Sequence, residues 1–352
     1  MKLLILSAGL LFLGGAALSA AAQADGPAVA GRVVAADGGS VAGVRVVLSD
    51  GAFAESATVG SDGRFVLPLP KGVGRDGLTL AVREGDAAAA RYHPAEVRVE
   101  AKDVDEGQDF VLVPREWTIP AGAYAGERVE ISPRLAFAPV CDGCSAFLRR
   151  GAGTEAGVRT WPEAFFPLRV VFDREFSGAP VTARDSVWFW RGAEALERDF
   201  GARLVRPARF SEAAAVGDST PNDIIYVQID PSLRAAGLGV SGAYGRDIVY
   251  GEVRLQRGSL LAEPSGAGLV AHELLHALGF GHTCSWRSVM ALESRCPAKR
   301  APRATAEDVA YAQVVRRVRE LQREHGARWG LEAALAGEES RPAAAAPDAR
   351  EH

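Results

Sequence analysis

Methionine is almost missing from this chain of 352 residues: there are two, Met1 and Met290. A methionine-rich adaptable surface is therefore excluded, and Met290 stands alone in the body of the chain. Positive charge is not in excess, since the formal net charge is −4. That balance argues against a nucleic-acid partner and against a basic membrane surface. Beyond the first two dozen residues no apolar run is long enough to span a bilayer, which leaves no integral membrane segment in a mature chain. Cysteine is scarce, at 4 residues, with a single C-x-x-C and no thioredoxin-like pattern around it. Histidine is scarce too, at 6 residues, so a cluster of it carries information.

What is present begins with Lys2, an apolar stretch from Leu3 to about Leu18, and small residues ending in Ala22-Gln23-Ala24. This pattern predicts a secretory signal peptide over 1–24, cleaved before Asp25, and hence a secreted or periplasmic protein. The alternative, an uncleaved anchor, fits a longer and less Gly-, Ala- and Ser-rich stretch. Export makes the cysteines informative. Two disulfides are expected by position, Cys141 with Cys144 and Cys284 with Cys296, although four cysteines allow three connectivities. Cys141-Asp142-Gly143-Cys144 reads as a small structural loop; a redox motif, half a zinc site or a thiolate that blocks a catalytic metal share its spacing.

Half of the histidines fall in one window, His272-Glu273-Leu274-Leu275-His276-Ala277-Leu278-Gly279-Phe280-Gly281-His282. This is H-E-x-x-H-x-x-G-x-x-H at every fixed position. Two histidines four apart share a helix face, so both imidazoles reach one ion. Gly279 can end the helix at once because glycine takes positive φ without steric cost, and His282 then returns as a third ligand. Three protein ligands with one open position is the pattern of a catalytic zinc.

These residues resemble the metzincin clan of zinc metallopeptidases, with a matrixin-like catalytic domain. The second hallmark of that clan is a methionine turn beneath the metal, and Ser288-Val289-Met290-Ala291-Leu292 follows directly. The resemblance implies Zn2+ held by His272, His276 and His282, and Glu273 as the general base toward a zinc-activated water. It implies a hydrolase, a metalloprotease that cuts peptide bonds in a polypeptide substrate. Leu292 stands where some families of the clan carry a tyrosine that helps at the metal. Two rival readings are a non-catalytic exported binding module with a structural zinc, and a zinc hydrolase of non-peptide substrates.

Upstream, Ala30 to Val34, Gly43 to Leu48, Arg64 to Leu69, Leu78 to Val82 and Asp109 to Val113 read as short strands, punctuated by Asp-Gly pairs. Their spacing predicts an all-β sandwich over 25–115. Val29 to Val34, Val41 to Leu48 and Ser61 to Phe65 resemble a carboxypeptidase regulatory-like domain, an accessory module in its family. His93 reads as a surface or strand histidine. Residues 116–160 read as a linker carrying the C-x-x-C loop, 161–330 as the zinc metallopeptidase domain, and 331–352 as a disordered tail rich in Ala, Glu, Pro and Arg.

Within 161–330, strands are expected at Phe166 to Asp173 and Asp223 to Asp230, and a helix from Ala183 to Phe200 with Trp188 and Trp190 as packing residues. Ser241 to Val253 is expected as a cleft-edge strand to which a peptide adds. Pro264-Ser265 introduces the zinc helix. Thr305-Ala306-Glu307-Asp308 opens a closing helix, with Arg316, Arg317, Arg319 and Glu320 as its solvated face. The predicted whole is multidomain: an all-β sandwich, then an α+β metzincin-like domain.

Overall fold

The computed structural model describes residues 27–50, 53–69, 77–82, 89–99, 107–131, 160–174, 178–209, 223–244, 247–262, 265–283, 287–291, 299–325 and 328–329. The readings of the signal segment, the four cysteines, Leu292 and the tail lie outside these residues.

Seven strands occupy the first third: β1 (Ala28–Ala35), β2 (Arg45–Ser49), β3 (Ala54–Thr58), β4 (Arg64–Pro68), β5 (Leu78–Val82), β6 (Ala95–Val99) and β7 (Phe110–Leu112). Alternation decides which face goes inward. In β4 Phe65 and Leu67 are buried between exposed Arg64 and Val66, and in β6 Ala95, Val97 and Val99 are buried. One sheet runs β3-β2-β5-β6, all antiparallel, while β1 pairs antiparallel with β4 and parallel with β7. Val29, Val33, Phe65 and Leu67 of one sheet share a core with Val46, Leu48, Leu80 and Val97 of the other. Two sheets that bury one common apolar layer form a sandwich. The turns work as their residues dictate: Asp37 Oδ1 accepts the Gly39 N–H at 2.9 Å and Asp62 Oδ1 accepts the Arg64 N–H at 3.0 Å. β3 and β6 were not among the expected strands. β3 is a polar outer strand, exposed along most of its length, and carries no hydrophobic period to read.

Residues 116–131 differ from a linker. β8 (Glu116–Thr118) and β9 (Arg128–Glu130) form an antiparallel hairpin, and Ile119, Val129 and Ile131 are buried in the core of the following unit. His93 also differs from expectation: it is buried, with Nε2 against the carbonyl of Ile131 where the hairpin closes.

The second sheet system contains β10 (Leu168–Phe172), β11 (Val205–Pro207), β12 (Ile224–Ile229), β13 (Gly237–Tyr244) and β14 (Asp247–Leu255). Their order is β11-β10-β12-β14-β13, parallel throughout except for β13, which runs antiparallel along one margin. Helices α1 (Ala183–Phe200), α2 (Arg257–Leu260), α3 (Ser265–Ala277) and α4 (Ala306–His325) accompany it. α1 starts in a complete capping box between Thr182 and Asp185 and ends at Gly201 in the left-handed region, φ 66°. Its buried line is Phe189, Ala193, Leu196 and Phe200. Trp188 and Trp190 are partly buried against the same core.

The expected edge strand over 241–253 is in fact two strands. Ser241 to Tyr244 belongs to the outer β13, whereas Asp247 to Val253 belongs to β14, paired on both sides. Two consecutive β-rich segments have no periodicity break between them, so sequence alone merges them. On α4, Tyr311, Val314, Val315, Val318 and Leu321 are buried as their spacing predicts. Arg319 is not on a solvated face: it is buried beside Gln322, with Asp247 at 3.7 Å. Arg316 is also engaged, in a two-pronged pair with Glu163 at 2.7 and 2.8 Å.

The last described strand is β15 (Arg328–Trp329), which pairs in parallel with β7 of the sandwich. The fold is a mixed α/β arrangement of several sheets and a few helices, with the last described strand returned to the first domain.

Candidate metal centre

Helix α3 is largely apolar, and residues 268–277 are all buried, His272, Glu273 and His276 included. A helix of that kind belongs inside a core. Its last turn is fixed from outside by Trp161, whose indole N–H donates to Ala277 O at 2.9 Å. The helix then stops in a Schellman arrangement: Phe280 N–H donates to Leu275 O and Gly279 N–H to His276 O, both at 3.0 Å, with Gly279 at φ 105°. Phe280 and Leu275 are both buried, the apolar contact that accompanies this motif. The chain reverses within three residues and His282 comes back over the helix end.

His272, His276 and His282 each direct one ligand atom into a common space, with those atoms all within 4.8 Å of one another. His276 Nε2 lies 3.1 Å from His272 Nε2 and 3.1 Å from His282 Nε2. The opposite ring nitrogens fix the tautomers. His272 Nδ1 donates to Val289 O and His276 Nδ1 donates to Phe280 O, both at 2.7 Å. A neutral imidazole has one N–H, so both Nε2 atoms are then acceptors. Acceptors facing each other at 3.1 Å repel unless an electrophile lies between them. Nitrogens on a tetrahedral zinc at ~2.05 Å stand about 3.4 Å apart, close to the observed spacing. Burial, helped by the positive charge of Arg300 and opposed by the Val289 bond, pushes the His272 imidazole down to about 3 from its ordinary 6.5. It is therefore neutral, as a ligand must be. The three histidines are close enough to hold a metal ion, and the donor set fits one.

Beneath the rings, Met290 is fully buried in a turn closed by Ala291 N–H to Ser288 O at 3.2 Å. The turn is anchored by a residue that sequence reading used only as a helix cap. Asp308, buried at the start of α4, accepts the hydroxyl of Ser288, the N–H of Val289 at 3.0 Å and the N–H of Thr305 at 3.0 Å. Val289 in turn supplies the carbonyl that orients His272. The loop beside His272 is thereby tied to α4 through one carboxylate, in the manner of outer partners that orient ligands.

Glu273 is buried on the adjacent face of α3, toward β13. A Cβ on Gly237 would come within 2.7 Å of Glu273 Oε1, and one on Gly239 within 2.2 Å of Glu273 O and 2.6 Å of His276 Cβ. The two glycines of β13 thus let the strand lie directly on the helix that carries the site. β13 forms one wall beside the histidines and the Met290 loop forms the other.

No family model matches the chain, and no curated protein matches it. Among solved structures it is similar to 5-hydroxyisourate hydrolase of Klebsiella pneumoniae at 20% identity and a TM-score of 0.20, over 30% of this chain and 99% of that one. A likeness at that TM-score carries no argument about fold or activity. Among the described residues no helix is long and apolar enough to cross a membrane.

Proposed function

We propose that this protein is an exported zinc metalloendopeptidase of metzincin-like build. The observation that carries the reading is the convergence of His272, His276 and His282 at one point, beside a buried Glu273 and against an outer strand. A structural zinc needs a fourth ligand, and among the described residues the cluster has three. A sheet that is parallel except for one antiparallel margin strand, with the histidine helix against that strand and Met290 buried nearby, supports the reading.

Bound at the three histidines, zinc supplies Lewis-acid polarisation and a water that ionises near neutral pH. The chain's own residues do the rest. Val289 O and Phe280 O hold two imidazoles in the tautomer that presents Nε2. β13 offers backbone groups along its outer side, so an extended polypeptide can dock there as a further strand, which a compact small molecule cannot do. Glu273 takes a proton at its carboxylate and returns it to the leaving amine, a role typically worth ~10²- to 10⁴-fold.

The test is Glu273→Gln in the full chain with peptide substrates, read beside metal content. Retained zinc with cleavage slowed by roughly that factor supports the assignment. A variant that keeps zinc and cuts as fast as the parent overturns it, and failure of either protein to hold stoichiometric metal overturns the centre itself.

A further inference from the structure

Where the sandwich, the β8–β9 hairpin and α4 meet, the surface opens into a cavity of about 960 Å³, at the upper end of the size range of ligand pockets. It shares no lining residue with the histidine cluster. Its charge is uneven: Arg91, Arg115, Arg128 and Arg317 stand against Asp37 and Glu116, four positive groups to two negative in a chain of formal net charge −4. Two of the guanidiniums are oriented without being used up. Arg91 Nη2 donates to Asp37 at 3.0 Å and Arg128 Nη1 to Glu116 at 3.3 Å, one N–H each of five. Exposed pairs of this kind contribute about 0–1 kcal/mol, so an incoming carboxylate displaces them at little cost.

The cavity follows a strand margin. Alternation puts Glu116 and Thr118 on one face of β8 and Trp117 on the other, yet all three line it, so it runs along the side of the strand rather than over either face. The hairpin register fixes what that side offers. Ile119 N–H donates to Glu127 O and Trp117 lies opposite Val129, so the backbone groups of 117 and 119 turn toward β9. Those of Glu116 and Thr118 therefore point away from β9, toward the cavity side. Just upstream the same side is taken, for Arg115 N–H donates to Arg91 O at 2.8 Å. Past that bond the pairing stops, and among the described residues no strand lies along β8 opposite β9.

We propose that this margin docks an extended acidic peptide, added to β8 as a third strand with its carboxylates on the surrounding arginines. The outward N–H and C=O groups of Glu116 and Thr118 match the alternating donors and acceptors of a polypeptide, which a sugar or a compact anion does not carry. The guanidiniums select its charge, since each receives a carboxylate through two parallel N–H bonds. Binding here makes no demand on the histidine cluster and does not rest on the peptidase reading.

The experiment titrates full-length Glu273→Gln protein into a fluorescein-labelled peptide of alternating Glu and Val, read by fluorescence anisotropy, with the peptide checked intact by mass spectrometry. It should bind roughly 10-fold or more tightly than its Gln counterpart, the factor one charge-assisted hydrogen bond supplies. Arg128→Glu and Arg317→Glu should each erase that preference, whereas Arg184→Glu, at an exposed position outside the cavity, should leave it unchanged. N-methylation of alternate peptide residues, which removes strand pairing and keeps every carboxylate, should abolish binding. Equal binding of the Glu and Gln peptides, indifference to both cavity variants, or full binding of the N-methylated peptide would each sink the inference. So would binding seen only after removal of 331–352, which gives the margin to the chain's own end, or self-association lost in Arg128→Glu, which gives it to a second copy. None of these outcomes touches the metal centre, whose test is cleavage.

Discussion

Asp308 shows how much can depend on one carboxylate far in sequence from the chemistry. It holds three donors, from Ser288, Val289 and Thr305, and each buried donor left without an acceptor costs about 1–3 kcal/mol. Asp308→Ala is expected to lower stability by a few of these increments. It should also weaken metal binding ~10- to 100-fold, as loss of an orienting partner does, because Val289 O no longer fixes His272. Competition with a chromophoric chelator measures the second effect separately from the first. Asp185 gives a pH-dependent case. Burial pushes its carboxyl up, but hydrogen bonds from Arg257 and from the N–H and hydroxyl of Thr182 outweigh that and hold it below its ordinary 3.8. A folded value under the unfolded one means stability present above about pH 4 and lost as pH falls through the folded value. Asp185→Asn should therefore lower the thermal midpoint at pH 7, and the gap to the parent should narrow below pH 4. At this scale the clustering of His272, His276 and His282 was legible because one helix turn and one glycine bring them together from eleven consecutive residues. Asp308 was visible only as a helix cap: its partners lie three to twenty positions away, and nothing local announces the second role.

Among the elements, β13 and α3 lie closer than side chains allow. Gly239→Ala places a methyl carbon 2.2 Å from a helix backbone oxygen, which cannot swing aside as a side-chain tip would. Overpacking of this kind costs typically 1–3 kcal/mol. The expected outcome is a lower thermal midpoint and a displaced His276, seen as weaker metal affinity. Gly237→Ala meets the carboxylate of Glu273 instead, so under the proposed function peptide cleavage should fall more than stability. An unfolding curve beside a zinc titration separates the two. Helices α1 and α4 were readable from their buried stripes, and α4 also from its Thr305 cap, whereas the Thr182 cap of α1 was not read. The register of β13 and β14 was not: both are β-rich, and only pairing across space divides one from the other.

In the whole molecule, the sandwich keeps its own core, but one margin of it is built into the core of the second sheet system. Ala36, Val111 and Val113 of the sandwich lie in one apolar cluster with Ile119, Val129 and Ile131 of the hairpin and Tyr311, Val314 and Val318 of α4. Polar ties cross the same junction: Trp117 Nε1–H to Gln313 Oε1 at 2.9 Å and the Tyr124 hydroxyl to Ala304 O at 2.6 Å. Domains joined through an apolar junction of this kind are coupled in unfolding. Tryptophan fluorescence and far-UV circular dichroism should give coincident denaturant transitions, and two resolved steps would contradict that coupling. None of this was legible from composition, which placed the two domains in succession with a linker between them.

Helix α4 touches both halves at once. Its first turn carries the carboxylate under the histidines, and about 30 Å further on the chain enters the sheet of the sandwich as β15. Sequence order and mechanical order therefore disagree, for the last described strand belongs to the first domain. A cut near residue 160, where the chain looks divisible, would leave β7 without its outer neighbour and α4 without its anchor. Transplantation into another protein therefore has to carry β1 through β15 together.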